Sequence, residues 1–332
     1  SWHWVFYLNV PIGLISAILV QIYYKAEKEA HKNKPVDYMG SILMTIGLTS
    51  LLAGIEMIGT ASTLFVTVAL IVAVMCIGAM IYFERGVADP IIPSRLFKNR
   101  ELVIDFILFT LIWGAFVGFL IYSPMWAQGL LGTSALIGGA TQIPSSFTNF
   151  MGSGSVATFR RYFTPQRVVA IGIVMLIASF LFLVIGGVKT PYWVLLVAGA
   201  FEGFGNGACF NELQVKVQQD ADLGDVPVAT SFSFLIRMLS QTFTASIFGL
   251  VMNSALRHGV SSSHGAVTMK MMNKLSDATN INSLPTKLLP QMRAILHNGL
   301  HNIMLLSLVL MLVSLAINVW AQHLEKRAHV TV

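Results

Sequence analysis

The chain has 332 residues, 55% hydrophobic and only 11% charged, with a formal net charge of +6. A soluble globular protein carries roughly 25% charged residues, so this composition excludes an ordinary soluble enzyme, and it is too apolar for a disordered chain. The basic residues lie in short loops between apolar runs rather than on one soluble face, which argues against nucleic acid as a partner.

A helix needs about 20 mostly apolar residues to cross a bilayer, and open strands cannot satisfy their backbone groups in lipid. Nine stretches meet that length, at roughly 2–24, 38–58, 62–83, 101–123, 134–158, 166–187, 192–217, 227–257 and 296–323. The first run follows Ser1 without a basic n-region or a small-residue cleavage site, so it is no signal peptide, and the chain reads as a fragment of something longer. The eighth run is long for one crossing and is expected to tilt or to extend beyond the bilayer.

Lys and Arg favour the inner side of a membrane. Alternation places fourteen of the 21 basic residues inside, in the segments 25–37, 84–100 and 159–167, at Lys216, and at Lys326 and Arg327. Six fall outside, five of them in the long 257–295 connection, and Arg237 lies within a helix. Residues 25–37 read as a charged linker and 84–100 as a segment along the inner interface. Residues 258–295 read as a mobile outer loop with a helical pattern near 265–275.

Charged groups inside apolar runs are costly and are functional candidates by default. In chain order, Glu56 ends the second helix and is expected at the interface. Asp105 starts the fourth helix, where an acid is favoured by the helix dipole, and it is also a candidate for coupling. Trp113, Phe116, Tyr122 and Trp126 fit either an aromatic belt or a surface on which an aromatic cation stacks. The fifth helix carries a stripe of Gly138, Gln142, Ser145, Ser146, Asn149 and Ser153, suited to lining a cavity or to hydrogen bonds between helices.

The seventh helix places Glu202, Asn206, Cys209 and Glu212 on one side, beside a GxxxG-type stripe of Gly199, Gly203 and Gly207 that admits a close neighbour. Burial disfavours the charged form of a carboxylate, which is what a proton carrier needs. On the eighth helix, Thr230, Ser233, Arg237, Ser240, Gln241 and Thr244 form one polar stripe about 20 Å long. Glu202 and Arg237 are expected at similar depth, so an ion pair between them is one reading, and gating or coupling is the other. Glu212 is expected nearer the inner surface, pairing with Lys216 or Arg237. Cys76 and Cys209 lie in apolar runs and support neither a disulfide framework nor a metal site. His297 and His301 are neighbours at i, i+4, too few for a closed metal site. No cofactor is expected. No ATP-binding motif occurs, so uphill work would draw on an ion gradient.

Four stretches resemble those of one family. The first is Trp2-His3-Trp4-Val5-Phe6-Tyr7-Leu8-Asn9-Val10-Pro11-Ile12-Gly13, and the second Asp37-Tyr38-Met39-Gly40. The third is Ala88-Asp89-Pro90-Ile91-Ile92-Pro93 followed by Leu96-Phe97-Lys98-Asn99-Arg100. The fourth is Val226-Pro227 with Ala229-Thr230-Ser231 and Arg237. In this order they resemble the fourteen-helix drug:proton antiporters of the major facilitator superfamily. The loop Arg160 to Arg167 lacks that family's Gly/Asp pattern, and Ser240-Gln241-Thr242 stand where the family often has glycines.

The resemblance implies an all-α integral membrane bundle of about nine transmembrane helices in this fragment. Residues 1–24 would be the last helix of an N-terminal bundle, 25–100 a two-helix insert with its linkers, and 101–332 a C-terminal six-helix bundle with an outer loop at 258–295. Five preceding helices would be missing. It further implies proton-coupled export of amphipathic or cationic compounds by alternating access, in a bacterial cytoplasmic membrane. Glu202, Arg237, Glu212 and Asp105 are the coupling candidates. Gln142, Ser146, Asn149, Asn206, Ser233, Gln241 and Trp126 are the cavity-lining ones. The partners would be the lipid bilayer, protons, small amphipathic substrates and the missing helices. Two alternatives stay open: an exporter of the same fold for an endogenous solute, and a membrane sensor or assembly subunit. The latter predicts a tightly packed region around Gln142, Asn149 and Arg237.

Overall fold

The computed structural model describes residues 3–24, 37–58, 62–84, 94–263, 265–275 and 284–330. The charged linker 25–36, the Ala88–Pro93 motif and part of the 258–295 connection lie outside these residues. All regular elements described are helical. Contacts divide the chain into residues 1–37 and residues 38–332. The first unit holds one helix, α1 (His3–Tyr23), with Pro11 inside it.

In the second unit, α2 (Tyr38–Glu56) and α3 (Thr63–Glu84) form a hairpin. They meet closely at Gly47 and Gly54, where an added Cβ would come within 3.0 Å of Ile77 Cγ1 and Leu70 Cδ2. A short 3₁₀ turn, Ser94–Phe97, leads into α4 (Arg100–Met125). The turn is held down by buried Leu96 and by Phe97, which meets Phe232 edge-on at 5.5 Å. Asn99 caps α4, accepting from the backbone N–H groups of Glu101 (3.0 Å) and Leu102 (3.5 Å).

α4 runs seven residues further than the sequence pattern indicates, through a π-helical turn at Trp126–Leu130, and Gly132 at φ +69° then turns the chain. It is the centre of the bundle, packed against α8 (Tyr192–Asp220), α9 (Val226–Ser261) and α11 (Leu289–Val330). α7 (Pro165–Ile185) closes one side of α8 and also meets α11. The predicted outer loop at 258–295 is helical over much of its length, because α9 continues to Ser261, α10 covers Met269–Leu275 and α11 begins at Leu289.

The fifth predicted helix is broken. α5 (Ala135–Ala140) and α6 (Gln142–Phe159) meet at Thr141. Pro144 has no N–H for the carbonyl of Ala140, and its ring displaces that carbonyl. At the break the Thr141 backbone N–H and hydroxyl both donate to Gly138 O, at 3.2 and 2.7 Å. Its polar stripe also lowers the hydropathy of α6. Eight helices among the described residues are therefore long and apolar enough to cross a membrane, where the sequence pattern indicates nine.

Candidate functional site

α6 and α8 touch backbone to backbone. A Cβ on Gly203 would lie 2.0 Å from Ser145 O, one on Gly207 2.0 Å from Asn149 O, and one on Gly152 2.2 Å from Phe204 O. Side chains of any size exclude such an approach, so the four-residue glycine spacing on α8 builds this contact. The contact sets the Ser145 hydroxyl on Glu202, where it donates to Oε2 at 2.5 Å. Glu202 is fully buried, and its other oxygen, Oε1, has no partner among the described residues. One turn along α8, Asn206 is also buried with its Oδ1 unpartnered, and on α6 so is Gln142 Nε2. Unpaired buried polar atoms each cost about 1–3 kcal/mol, so this wall holds two acceptors and a donor open to a proton, water or substrate. Glu202 stands ten residues into α8, about 15 Å from its start.

Arg237 does not pair with Glu202. Its guanidinium lies over Phe234 (4.6 Å), Phe210 (4.8 Å) and Trp113 (5.6 Å). Phe210 is eight residues beyond Glu202 on α8, so the two groups differ in depth by about 12 Å. α9 enters the bundle with Arg237 eleven residues from its start, level with the aromatic layer rather than with the carboxylate.

The remaining charges gather at the cation-rich end of the bundle, where α4 starts and α6 and α8 end. Asp105 is fully buried in the bundle and accepts from Lys216 Nζ at 2.9 Å. Lys216, expected at the inner end of the seventh helix, is itself buried, with Asp220 Oδ2 3.8 Å away. Glu212 pairs neither with Lys216 nor with Arg237. It receives the fork of Arg160, Nε to Oε2 at 2.9 Å and Nη2 to Oε1 at 2.8 Å. The α6–α8 contact that positions Ser145 also delivers the end of α6 to Glu212. A second fork joins Arg95 to Asp225, and Arg100 stacks over Trp320 at 4.8 Å.

Removing one member of a buried pair strands the other charge, at a cost of about 3–5 kcal/mol. Lys216→Met should therefore lower the thermal midpoint of the purified protein markedly, while the double change Lys216→Met with Asp105→Leu should restore most of it. Equal destabilisation by the single and the double variant would contradict this account.

Other candidates fall in several places. Ser146 is exposed on α6, and Asn149 is half-buried with its carbonyl against Gly207. Ser153 accepts from Asn211 Nδ2 at 3.0 Å, so part of the α6 stripe serves helix contact. Ser233 is buried and donates to Thr230 O at 2.7 Å, so it does not line open space. Ser240 and Thr244 of the same stripe pack on Gly114 of α4, and Ser240 donates to Thr110 O. Gln241 turns the other way, into a cavity of about 650 Å³ shared with Glu56, Val117, Thr242 and Asn253. A more apolar cavity of about 540 Å³ lies beside it, lined by Leu51, Thr110, Phe243 and Leu306 among others.

Trp126 lines neither of these cavities. It is fully buried, and its ring meets His297 edge-on at 5.5 Å. The π-helical turn carries it inward. Of Trp113, Phe116 and Tyr122, the first and last are buried and Phe116 is half-buried. His297 Nε2 donates to Gly186 O at 3.0 Å, and no group of three His, Cys, Asp or Glu able to hold a metal occurs among the described residues.

The family model described as Major Facilitator Superfamily matches residues 1–245. The chain is 29% identical over 255 residues to Multidrug resistance protein 3 of Bacillus subtilis (strain 168), covering 76% of this chain and 49% of that protein. It is 27% identical over 262 residues to the Multidrug transporter protein MdtP of the same organism, covering 76% and 47%. It is 28% identical over 269 residues to the MFS-type efflux pump MFS1 of Arthroderma benhamiae, covering 75% and 48%. The chain thus spans about half the length of these relatives.

Proposed function

The chain belongs to the Major Facilitator Superfamily, a family of multi-pass membrane transporters and not of enzymes, and from that premise we propose that the complete protein exports amphipathic compounds in exchange for protons. The polar face of α6, α8 and α9 would alternate between the two sides of a bacterial cytoplasmic membrane. The relatives named for multidrug resistance and efflux support the direction and the substrate breadth. The proton is argued from one observation: Glu202 is fully buried with one oxygen bonded to Ser145 and the other unpartnered.

A charged Glu202 accepts from Ser145 and leaves Oε1 open. A protonated one gains a donor, for which the unpartnered Asn206 Oδ1, four residues on along α8, would be an acceptor. The carboxyl can therefore change charge without losing its Ser145 bond, as a carrier must. The carboxylates among the coupling candidates divide by environment. Glu202 has no cationic partner among the described residues, whereas Asp105, whose Oδ2 is likewise unpartnered, and Glu212 are tied into ion pairs with Lys216 and Arg160. Glu202 is accordingly the proposed proton site and the other two are latches. A sensor or assembly subunit would pack Gln142, Asn149 and Arg237 tightly, but all three are only partly buried. Reconstitution of the complete protein into liposomes tests the proposal: an imposed pH gradient should drive dye efflux, and a gradient that moves no dye would end this reading.

A further inference from the structure

We propose that Arg237 with its aromatic layer is the recognition site for the anionic head of an amphipathic monoanion, so that the transporter's substrates include aryl or alkyl carboxylates and sulfonates. The inference rests on the transport reading and names the substrate class of that same polar face. It starts from charge balance around Arg237. α9 carries no Asp or Glu between Val226 and Ser261. On α8, Glu202 lies about 12 Å along the axis from the level of Phe210 and is bonded to Ser145. Glu212 is forked by Arg160, and Asp220 lies ten residues beyond Phe210, near Lys216. On α4, Asp105 is held by Lys216, and Glu101 lies twelve residues, about 18 Å, from Trp113. Among the described residues no acid reaches Arg237.

The aromatic rings stabilise the cation without neutralising it. Phe234, Phe210 and Trp113 sit 4.6–5.6 Å from the guanidinium carbon and brace one another, Trp113 to Phe210 at 5.7 Å and Phe210 to Phe234 at 6.3 Å. A guanidinium packed against rings keeps its N–H donors in its own plane, and those donors match the two oxygens of a carboxylate or sulfonate. No hydrogen bond to the Arg237 guanidinium is formed among the described residues, and the group is only half-buried, so the fork is accessible. Phe234 and Met238, both exposed beside it, offer apolar surface for the rest of the ligand. One uncompensated cation selects a single negative charge. It repels a cationic amphipath, which would also find the ring faces already occupied.

The test uses three matched probes on the complete protein in nanodiscs, with binding measured by equilibrium dialysis: 2-naphthoate, neutral 2-naphthalenemethanol and 2-naphthylmethylammonium. In the parent protein the naphthoate should bind tightest. Arg237→Gln should weaken naphthoate about tenfold or more while changing the neutral alcohol less than twofold, and the alcohol then also reports that the site is folded. Arg237→Lys, which keeps the charge but loses the fork, should fall between. Equal binding of the three probes by the parent protein, or an equal loss of all three in Arg237→Gln, would overturn the proposal. The two readings separate cleanly. Dye efflux driven by a pH gradient, with naphthoate binding indifferent to residue 237, sinks this inference alone. Arg237-dependent naphthoate binding without any gradient-driven efflux sinks the transport reading alone.

Discussion

Gly207→Ala should destabilise the protein by several kcal/mol and disturb the carboxylate site at the same time. The added Cβ would stand 2.0 Å from Asn149 O, which is main chain and cannot rotate away. An ordinary contact begins near 3.4 Å, so α6 and α8 must separate by more than an ångström along a long interface. Overpacking of this kind costs typically about 1–3 kcal/mol, and more when the obstacle is backbone. For a chain of this size roughly 3 kcal/mol corresponds to a fall in Tm of about 4 °C. Gly203→Ala meets Ser145 O at the same 2.0 Å and should behave alike, whereas Gly154→Ala, on α6 with nothing within 4 Å, should leave Tm unchanged. Thermal unfolding followed by size-exclusion chromatography in detergent measures all three. Equal midpoints for Gly154→Ala and Gly207→Ala would show that the close approach is not what holds these helices together.

That contact is also the clearest case of what could be read before the structure. A spacing of four residues puts Gly199, Gly203 and Gly207 on one helix face, and small residues on a face admit a neighbour. The sequence does not say which neighbour, because periodicity reports a helix's own faces and nothing across the bundle. The ion pairs show the same limit. Arg160 and Glu212 are 52 residues apart, Lys216 and Asp105 111, Arg95 and Asp225 130. Each partner was visible as a charge, but the pairing depends on which helices touch.

The expected Glu202–Arg237 pair failed for a related reason: counting in from the ends of two apolar runs misplaced one group relative to the other by about two turns. The stripe on α9 was real as a pattern, yet it divides: Ser240 and Thr244 pack on Gly114 of α4 at the wall of the apolar cavity, while Gln241 faces the other cavity. The break before α6 was signalled by Pro144, since a proline four residues after Ala140 cannot continue the helix ladder. The aromatic layer under Arg237 had no local signal, because its rings come from α4, α8 and α9.

Glu202→Gln should reduce gradient-driven efflux by the complete protein to the level of empty liposomes while leaving exchange of substrate down its own gradient intact. The substitution preserves size and keeps an oxygen for the Ser145 hydroxyl, so packing across the α6–α8 contact is undisturbed. What it removes is the ability to change charge. A transporter whose carrier carboxyl is replaced by an amide sits permanently in the neutral state. It can still move its cavity from side to side, but the movement is no longer linked to a proton. Ser145→Ala probes the same site from the other helix: it removes the donor on Oε2 and leaves a buried carboxylate with neither oxygen bonded. Loss of a charge-assisted hydrogen bond is worth about 1.5–3 kcal/mol, so coupled efflux should fall roughly tenfold or more and exchange should fall with it. The pair of variants separates chemistry from architecture. An amide at 202 that still couples would move the proton to another acid, whereas a Ser145→Ala protein that transports normally would show that Glu202 does not need its partner across the helix contact.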